Sequence, residues 1–285
     1  MHNGLVRYGV DEHGVATVEL DNPPANAYSV EMMRDLDEAI LEARFDDRCH
    51  VIVLSGAGEK FFCAGADIAM LQKVTPRFKY YFCLHANETM LRIESTAKLV
   101  IAALHGHCVG GGLEIALAAD LRVAARGTGK LGLPEVALGV LPGTGGTQRL
   151  TRVLGKARAM ELMCEGTLVD YDRAAELGLV NHVWEREGFA DRVREYARGF
   201  CPPNKASMAV GHIKRAVQTG GEMAIEQGLA LERELQQRLF ESDDAKGGHR
   251  RLQREAKSLV HGPLKRGARA ALVTGSAAEA LPEER

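Results

Sequence analysis

One order of elements recurs along this 285-residue chain: an apolar run rich in β-branched residues, a turn crowded with small residues, then a helical stretch. Val51-Ile52-Val53-Leu54 leads into the small-residue loop Gly56 to Asp67 and a helical stretch from Pro76 to Ile93. Leu99 to Leu104 leads into Gly110-Gly111-Gly112 and helical composition from Leu113 to Ala119. Strands that alternate with helices predict an α/β core. A hairpin is expected ahead of it, with Val6 to Val10 and Val15 to Leu20 on either side of Asp11-Glu12-His13-Gly14. Ser29 is a suitable N-cap for a helix that carries Met32, Met33, Leu36, Ile40 and Leu41 at helical spacing up to about Arg44.

Further along, Leu121 to Ala124 reads as a strand and Leu138 to Gly146 as a loop. From Thr147 the pattern turns helical, apart from a short strand near Leu179 to Val183 where the sheet should end. The segment Glu222 to Phe240 is amphipathic and long enough to project from the core, which suits subunit packing. The expected division is a core over residues 1–200, a helical oligomerisation region over 201–261, and a loosely held tail over 262–285, where Ala, Gly and Glu dominate.

Composition narrows the function classes. With 46% hydrophobic and 26% charged residues, and apolar runs far shorter than a spanning helix, the chain reads as a soluble protein that does not enter the membrane. A net charge of −2 supplies no general attraction for a phosphate backbone, and no nucleic-acid partner is expected. The six cysteines, Cys49, Cys63, Cys83, Cys108, Cys164 and Cys201, show no CxxC or ligand-like spacing, so neither disulfides nor a metal are expected. The N-terminal segment has no signal-like apolar core, which favours the cytoplasm.

Two glutamates stand beside glycine-rich turns: Glu114 after Gly110-Gly111-Gly112-Leu113 and Glu135 after Gly132-Leu133-Pro134. A glycine turn between a strand and a helix permits close backbone approach and presents unpaired N–H groups at the positive end of the helix dipole. Such a turn can hold an oxyanion, with Glu114 one helical turn away. Taken singly, Glu114 reads equally as a helix-end acid and Glu135 as a solvated loop acid. A third element, Phe61-Phe62-Cys63-Ala64-Gly65-Ala66-Asp67-Ile68, supplies another small-residue loop after a strand. Nucleotide motifs fit poorly: Gly143-Thr144-Gly145-Gly146-Thr147 lacks the Gly-Lys-Ser/Thr ending of a P-loop, and Gly110-Gly111-Gly112 lacks the spacing of the dinucleotide fingerprint.

Together with Leu141-Pro142-Gly143-Thr144-Gly145-Gly146-Thr147-Gln148-Arg149-Leu150, these phrases resemble the enoyl-CoA hydratase/isomerase family, the crotonases, from about Val6 to Val260. The resemblance implies a spiral of ββα units followed by helices that assemble homotrimers or hexamers. It also implies an acyl-CoA thioester as substrate, with CoA part of that substrate and no further cofactor. By the same resemblance the N–H groups of Ala66 and Gly111 form an oxyanion hole, Glu114 activates water for attack at Cβ, and Glu135 places a proton on Cα. Ala64, Gly65, Asp67, Ile68, Gly110 and Pro134 would line the substrate, Lys60 would lie near the CoA phosphates, and Lys257 would belong to a C-terminal basic cluster that reaches CoA. Having both glutamates favours hydration over double-bond isomerisation or another reaction on the same scaffold. A noncatalytic CoA- or RNA-binding homologue is the alternative from another class.

Other residues read as structural. Asp67 and Asp120 suit loop or cap hydrogen bonds, His105 and His107 suit packed polar positions, and nothing in the sequence activates Cys63. The acyl pocket should involve the segment Phe78 to Met90, whose aromatics Phe78, Tyr80, Tyr81 and Phe82 are too dense for all to face one pocket.

Overall fold

The repeat seen in the sequence winds into a spiral. In the computed structural model, which describes residues 1–247, the hairpin β1 (Val6–Val10) and β2 (Val15–Leu20) is followed by helix α1 (Val30–Phe45). Three ββα turns then succeed one another. The first is β3 (Val51–Gly56), β4 (Phe61–Cys63), the short helix α2 (Ile68–Leu71) and α3 (Pro76–Ser95). The second is β5 (Leu99–Leu104), β6 (His107–Val109) and α4 (Gly111–Ala118). The third is β7 (Leu121–Ala125), β8 (Lys130–Gly132), a 3₁₀ turn at Glu135–Leu138 and α5 (Gly146–Leu154). Helix α6 (Lys156–Glu165), β9 (Val169–Asp170), α7 (Tyr171–Glu176), β10 (His182–Trp184), α8 (Phe189–Arg198), α9 (Ser207–Gly220) and α10 (Ile225–Glu241) complete the described chain. Compactness divides it at Arg233: the first unit, Met1–Arg233, holds both sheets, and the second begins at Glu234 within α10. Lys257 and the expected tail over 262–285 lie outside the described residues.

Each turn adds one strand to each of two sheets. The larger runs β1-β2-β3-β5-β7-β10, parallel throughout except for the β1–β2 hairpin, and the smaller runs β4-β6-β8-β9. Parallel strands covered on both faces have no solvent side, which is why β3 and β5 are almost continuously apolar. Alternation along them separates two cores: Ile52 and Leu54 face the layer of Leu36, Ile40, Met90 and Ile93, whereas Val51 and Val53 face Phe189, Val193 and Ala197 of α8. The smaller sheet departs from the sequence expectation. The loop expected over Gly56 to Asp67 contains β4, and β6 stands between β5 and the glycine turn that β5 was expected to feed directly. At three residues each, β4, β6 and β8 are too short to carry a readable period.

Two devices hold the turns together. Where β3 passes to β4 and β5 to β6, successive backbones are so close that a Cβ on Gly106 would lie 2.5 Å from the Lys60 carbonyl carbon, and one on Gly129 would lie 2.6 Å from the Gly106 carbonyl carbon. The other is Asn26, buried and in the left-handed region at φ 51°. Its Nδ2 donates to the carbonyls of Ala57 (2.9 Å) and Phe61 (3.1 Å), while its Oδ1 accepts from the Asn22 N–H (3.1 Å), tying the loop before α1 to the β3–β4 turn. Asp120 is structural as expected: its Oδ2 accepts from the Val100 N–H (2.7 Å) and pairs with the buried Lys214 ammonium of α9 (2.8 Å).

Asn26→Asp keeps the size of the side chain but removes the donor and sets a carboxylate against two carbonyl oxygens. It is expected to destabilise the fold by about 3 kcal/mol, read as a lowered urea midpoint with unchanged m-value.

Candidate functional site

The site begins where the second spiral turn reverses. Gly110, with φ 57° and ψ −131°, is held by its own N–H on the Gly132 carbonyl (2.9 Å), and α4 starts at the next residue. Neighbours enforce the small residues that follow: a Cβ on Gly111 would lie 2.1 Å from Cε1 of Tyr28, and one on Gly112 would lie 2.2 Å from the Cys63 carbonyl oxygen. The Ala66 loop is set by a single parallel bridge to Tyr28, in which the Tyr28 N–H donates to the Gly65 carbonyl (2.9 Å) and the Asp67 N–H to the Tyr28 carbonyl (3.0 Å). That pattern uses the groups on either side of Ala66 and turns the Ala66 N–H away from Tyr28. Among the described residues neither the Ala66 nor the Gly111 N–H has an acceptor. The two loops touch, since a Cβ on Gly65 would lie 3.0 Å from the Gly111 nitrogen.

Glu114, in the first turn of α4, is buried. Its Oε1 accepts from the N–H groups of Thr144 (2.8 Å) and Gly146 (2.7 Å), and its Oε2 accepts from the Thr144 hydroxyl. Gly146 is the first residue of α5, so the carboxylate rests on the positive end of that helix as well as on fixed donors. A carboxylate offers about four lone-pair sites. Three are taken, and the remaining one lies on Oε2. The Thr144 hydroxyl in turn meets the Tyr28 hydroxyl at 3.2 Å, and the Tyr28 ring stacks on Phe82 at 5.4 Å between centroids. Burial, first, and then the charge of Glu114 push the Tyr28 phenol well above its usual range.

Glu135 opens the 3₁₀ turn directly after Pro134, and its Oε1 lies 2.9 Å from where a Cβ on Gly110 would stand. Its Oε2 is buried with no hydrogen-bond partner among the described residues. Burial raises its pKa to about 7; its own backbone N–H opposes the rise, the charge of Glu114 adds to it, and Lys79 opposes it. The two glutamates therefore sit in contrasting surroundings. One is held by three donors, and the other is desolvated and free to carry a proton.

Of the remaining expected site residues, Ala64 and Gly65 are held in the Ala66 loop, Ala64 through its N–H on the Ala25 carbonyl (3.0 Å). Asp67 caps α2, accepting from the N–H groups of Ala69 (2.8 Å) and Met70 (3.1 Å). Ile68 is 57% exposed beside it. The Lys60 ammonium lies over the Phe61 ring at 5.5 Å, and its carbonyl accepts from the His107 N–H (2.8 Å) at the far end of β4 and β6 from the glycine turn. Of the four crowded aromatics only Phe82 is core, while Phe78, Tyr80 and Tyr81 are exposed. His107 accepts the Lys130 N–H through Nδ1 (3.2 Å), and the Nε2 of His105 is buried without a partner among the described residues. Sequence reasoning missed Tyr28 and the role of the Thr144 side chain. Tyr28 stands in an Ala-Asn-Ala-Tyr-Ser run with no periodicity of its own, and Thr144 is one residue of a glycine-rich phrase whose pattern does not single it out.

The spiral of paired strands with two glutamates and two acceptor-free N–H groups at one corner defines an α/β protein of the crotonase fold. The sequence model of the enoyl-CoA hydratase/isomerase family matches residues 11–258. A short-chain-enoyl-CoA hydratase of Clostridium acetobutylicum is 36% identical over 236 residues, 82% of this chain and 89% of that one. An (E)-benzylidenesuccinyl-CoA hydratase of Thauera aromatica is 37% identical over 235 residues, 82% of this chain and 90% of that one. A crystal structure of an enoyl-CoA hydratase from Geobacillus kaustophilus superposes with a TM-score of 0.85 at 43% identity, covering 88% of this chain and 94% of that one. This chain belongs to the enoyl-CoA hydratase/isomerase family. Among the described residues, no helix is long and apolar enough to cross a membrane.

The thiol beside the site is inert by environment. Cys63 is completely buried, which pushes its pKa up to about 12, whereas Cys164 is exposed. Iodoacetamide applied to the native protein at neutral pH is expected to label Cys164 and leave Cys63 unmodified, as read by peptide mass spectrometry.

Proposed function

We propose that this chain is an enoyl-CoA hydratase, adding water reversibly to a 2-enoyl-CoA to give a 3-hydroxyacyl-CoA. The observation that carries this reading is the pairing of a Glu114 held by three donors with a desolvated Glu135 beside the Ala66 and Gly111 N–H groups, which have no acceptor among the described residues. The thioester oxygen would accept from those two N–H groups, each worth roughly 3 kcal/mol as charge develops on the enolate. Water held by the remaining lone pair of Glu114 Oε2 would lose its proton to that carboxylate as its oxygen bonds to Cβ. Glu135 would deliver its proton to Cα, so the pair exchanges one proton and the reaction takes up none overall. Ala64, Gly65, Gly110 and Pro134 would allow close approach of the thioester, with Asp67 and Ile68 at its rim and the exposed Lys60 available to the CoA phosphates. No cofactor beyond substrate CoA is called for, and the hydratases among the relatives support the same chemistry.

The chain would work in the cytoplasm as a homotrimer or hexamer. On α9, Ile213 and Val217 stand one helical turn apart at 62% and 69% exposure, and Ile225 at the start of α10 is 74% exposed, which leaves an apolar surface unsatisfied in a single copy. Light scattering is expected to give the mass of three or six chains.

Hydration of crotonyl-CoA, followed by loss of the conjugated thioester absorbance with product identity checked, tests the reading. Glu114→Gln and Glu135→Gln are each expected to lower kcat by about 100-fold or more with the fold unchanged. Because the free enzyme must hold one proton on the pair, kcat/KM should fall about tenfold per pH unit above a limb near pH 7, where Glu135 with its neighbours Glu114 and Lys79 loses that proton. The same limb should appear in the dehydration direction, since no net proton is consumed. A profile flat from pH 7 to 9 would count against the assignment.

A further inference from the structure

Tyr28 touches the Ala66 loop, the Gly111 turn and Thr144 without being one of the acid or base groups of the site. Its backbone forms the bridge that presents the Ala66 N–H, its ring occupies the space that a Cβ on Gly111 would need, and its hydroxyl meets Thr144. The direction of that last hydrogen bond follows from counting protons. Thr144 has one hydroxyl hydrogen, and it goes to Glu114 Oε2, since a carboxylate only accepts. The Thr144 oxygen therefore accepts from the Tyr28 O–H, and the chain runs Tyr28 to Thr144 to Glu114. All three residues are buried, at 2%, 1% and 2% exposure, so no bulk water substitutes for a missing member.

We propose that Tyr28 and Thr144 are positioning residues: their hydroxyls form a one-way donor relay that fixes the Glu114 carboxylate so that the open lone pair of Oε2 faces the attacking water. This rests on the hydratase reading above. The two backbone N–H groups hold Oε1 alone and leave the plane of the carboxylate free to rotate about it; the Thr144 hydroxyl is the second anchor, on Oε2. The hydroxyl of Thr144 is in turn oriented by Tyr28, whose ring is kept in place by stacking on Phe82. Losing the relay should lower the rate of the chemical step and leave binding of the thioester, which depends on the N–H pair, nearly unchanged.

The test measures crotonyl-CoA hydration by the full-length protein and its variants. Thr144→Val should lower kcat about 20-fold with KM within about twofold, Thr144→Ser should restore kcat to within about threefold of wild type, and Tyr28→Phe should lower it about fivefold. Adding Tyr28→Phe to Thr144→Val, or Thr144→Val to Glu114→Gln, should cost nothing more, because each acts through the next member of the relay. Additive losses in those double variants, or wild-type kcat in Thr144→Val, would overturn the relay. If Thr144→Val does not fold, as judged by circular dichroism, Tyr28→Phe decides alone: it keeps the ring packed on Gly111, and wild-type kcat in it overturns the proposal. Failure of the underlying reading looks different. Wild-type protein that does not hydrate crotonyl-CoA, or Glu114→Gln with normal turnover, removes the reading and the relay with it, whereas a dead Glu114→Gln beside a normal Thr144→Val removes the relay only.

Discussion

A carboxylate buried away from water must be met by donors, and at Glu114 that requirement shapes the surroundings. Leaving such a charge unpaired would cost several kcal/mol. The segment after the 3₁₀ turn is drawn in so that Thr144 and Gly146 can donate, and α5 starts where its positive end meets the carboxylate. The Gly146 position has no room to spare, because a Cβ there would lie 2.8 Å from both Leu133 and Pro142 and 3.0 Å from Glu114 Oε1. The glycines of this loop are thus set by what Glu114 needs, as much as by the turn they make.

Glu135 shows the opposite use of burial. No group among the described residues donates to its Oε2, and desolvation raises its pKa to about 7. Two identical side chains are separated in character by their contacts alone. This is how one pair of carboxylates can divide the holding and the giving of a proton.

Much of this was legible in the sequence because the signals were long or chemical. The runs of β3 and β5, the Ser29 cap and the face of α1 appear where periodicity placed them, with Ser29 Oγ accepting from the Met32 N–H at 3.3 Å. The glycine turn and the glutamates were readable through residue type at fixed spacing. The smaller sheet was not, since strands of three residues carry no period and are fixed by the turns stacked on them. Tyr28 was illegible for another reason. Its contacts are with residues far along the chain, at Ala66, Phe82, Gly111 and Thr144, and no local pattern announces them.

The close stacking at Gly106 and Gly129 has a further consequence for how the site is assembled. Each revolution of the spiral delivers one piece to the same corner: Gly65 and Ala66 from the first, Gly110, Gly111 and Glu114 from the second, Glu135, Thr144 and Gly146 from the third. The paired-strand arm is a screw thread of fixed pitch, with β4, β6 and β8 all three residues long. The helical arm is free to vary, and it does so within this one chain, from 20 residues in α3 to 8 in α4. Changes of length in such a chain are absorbed on the helical side, where substrate shape can be altered without moving the threads that keep the three pieces in phase.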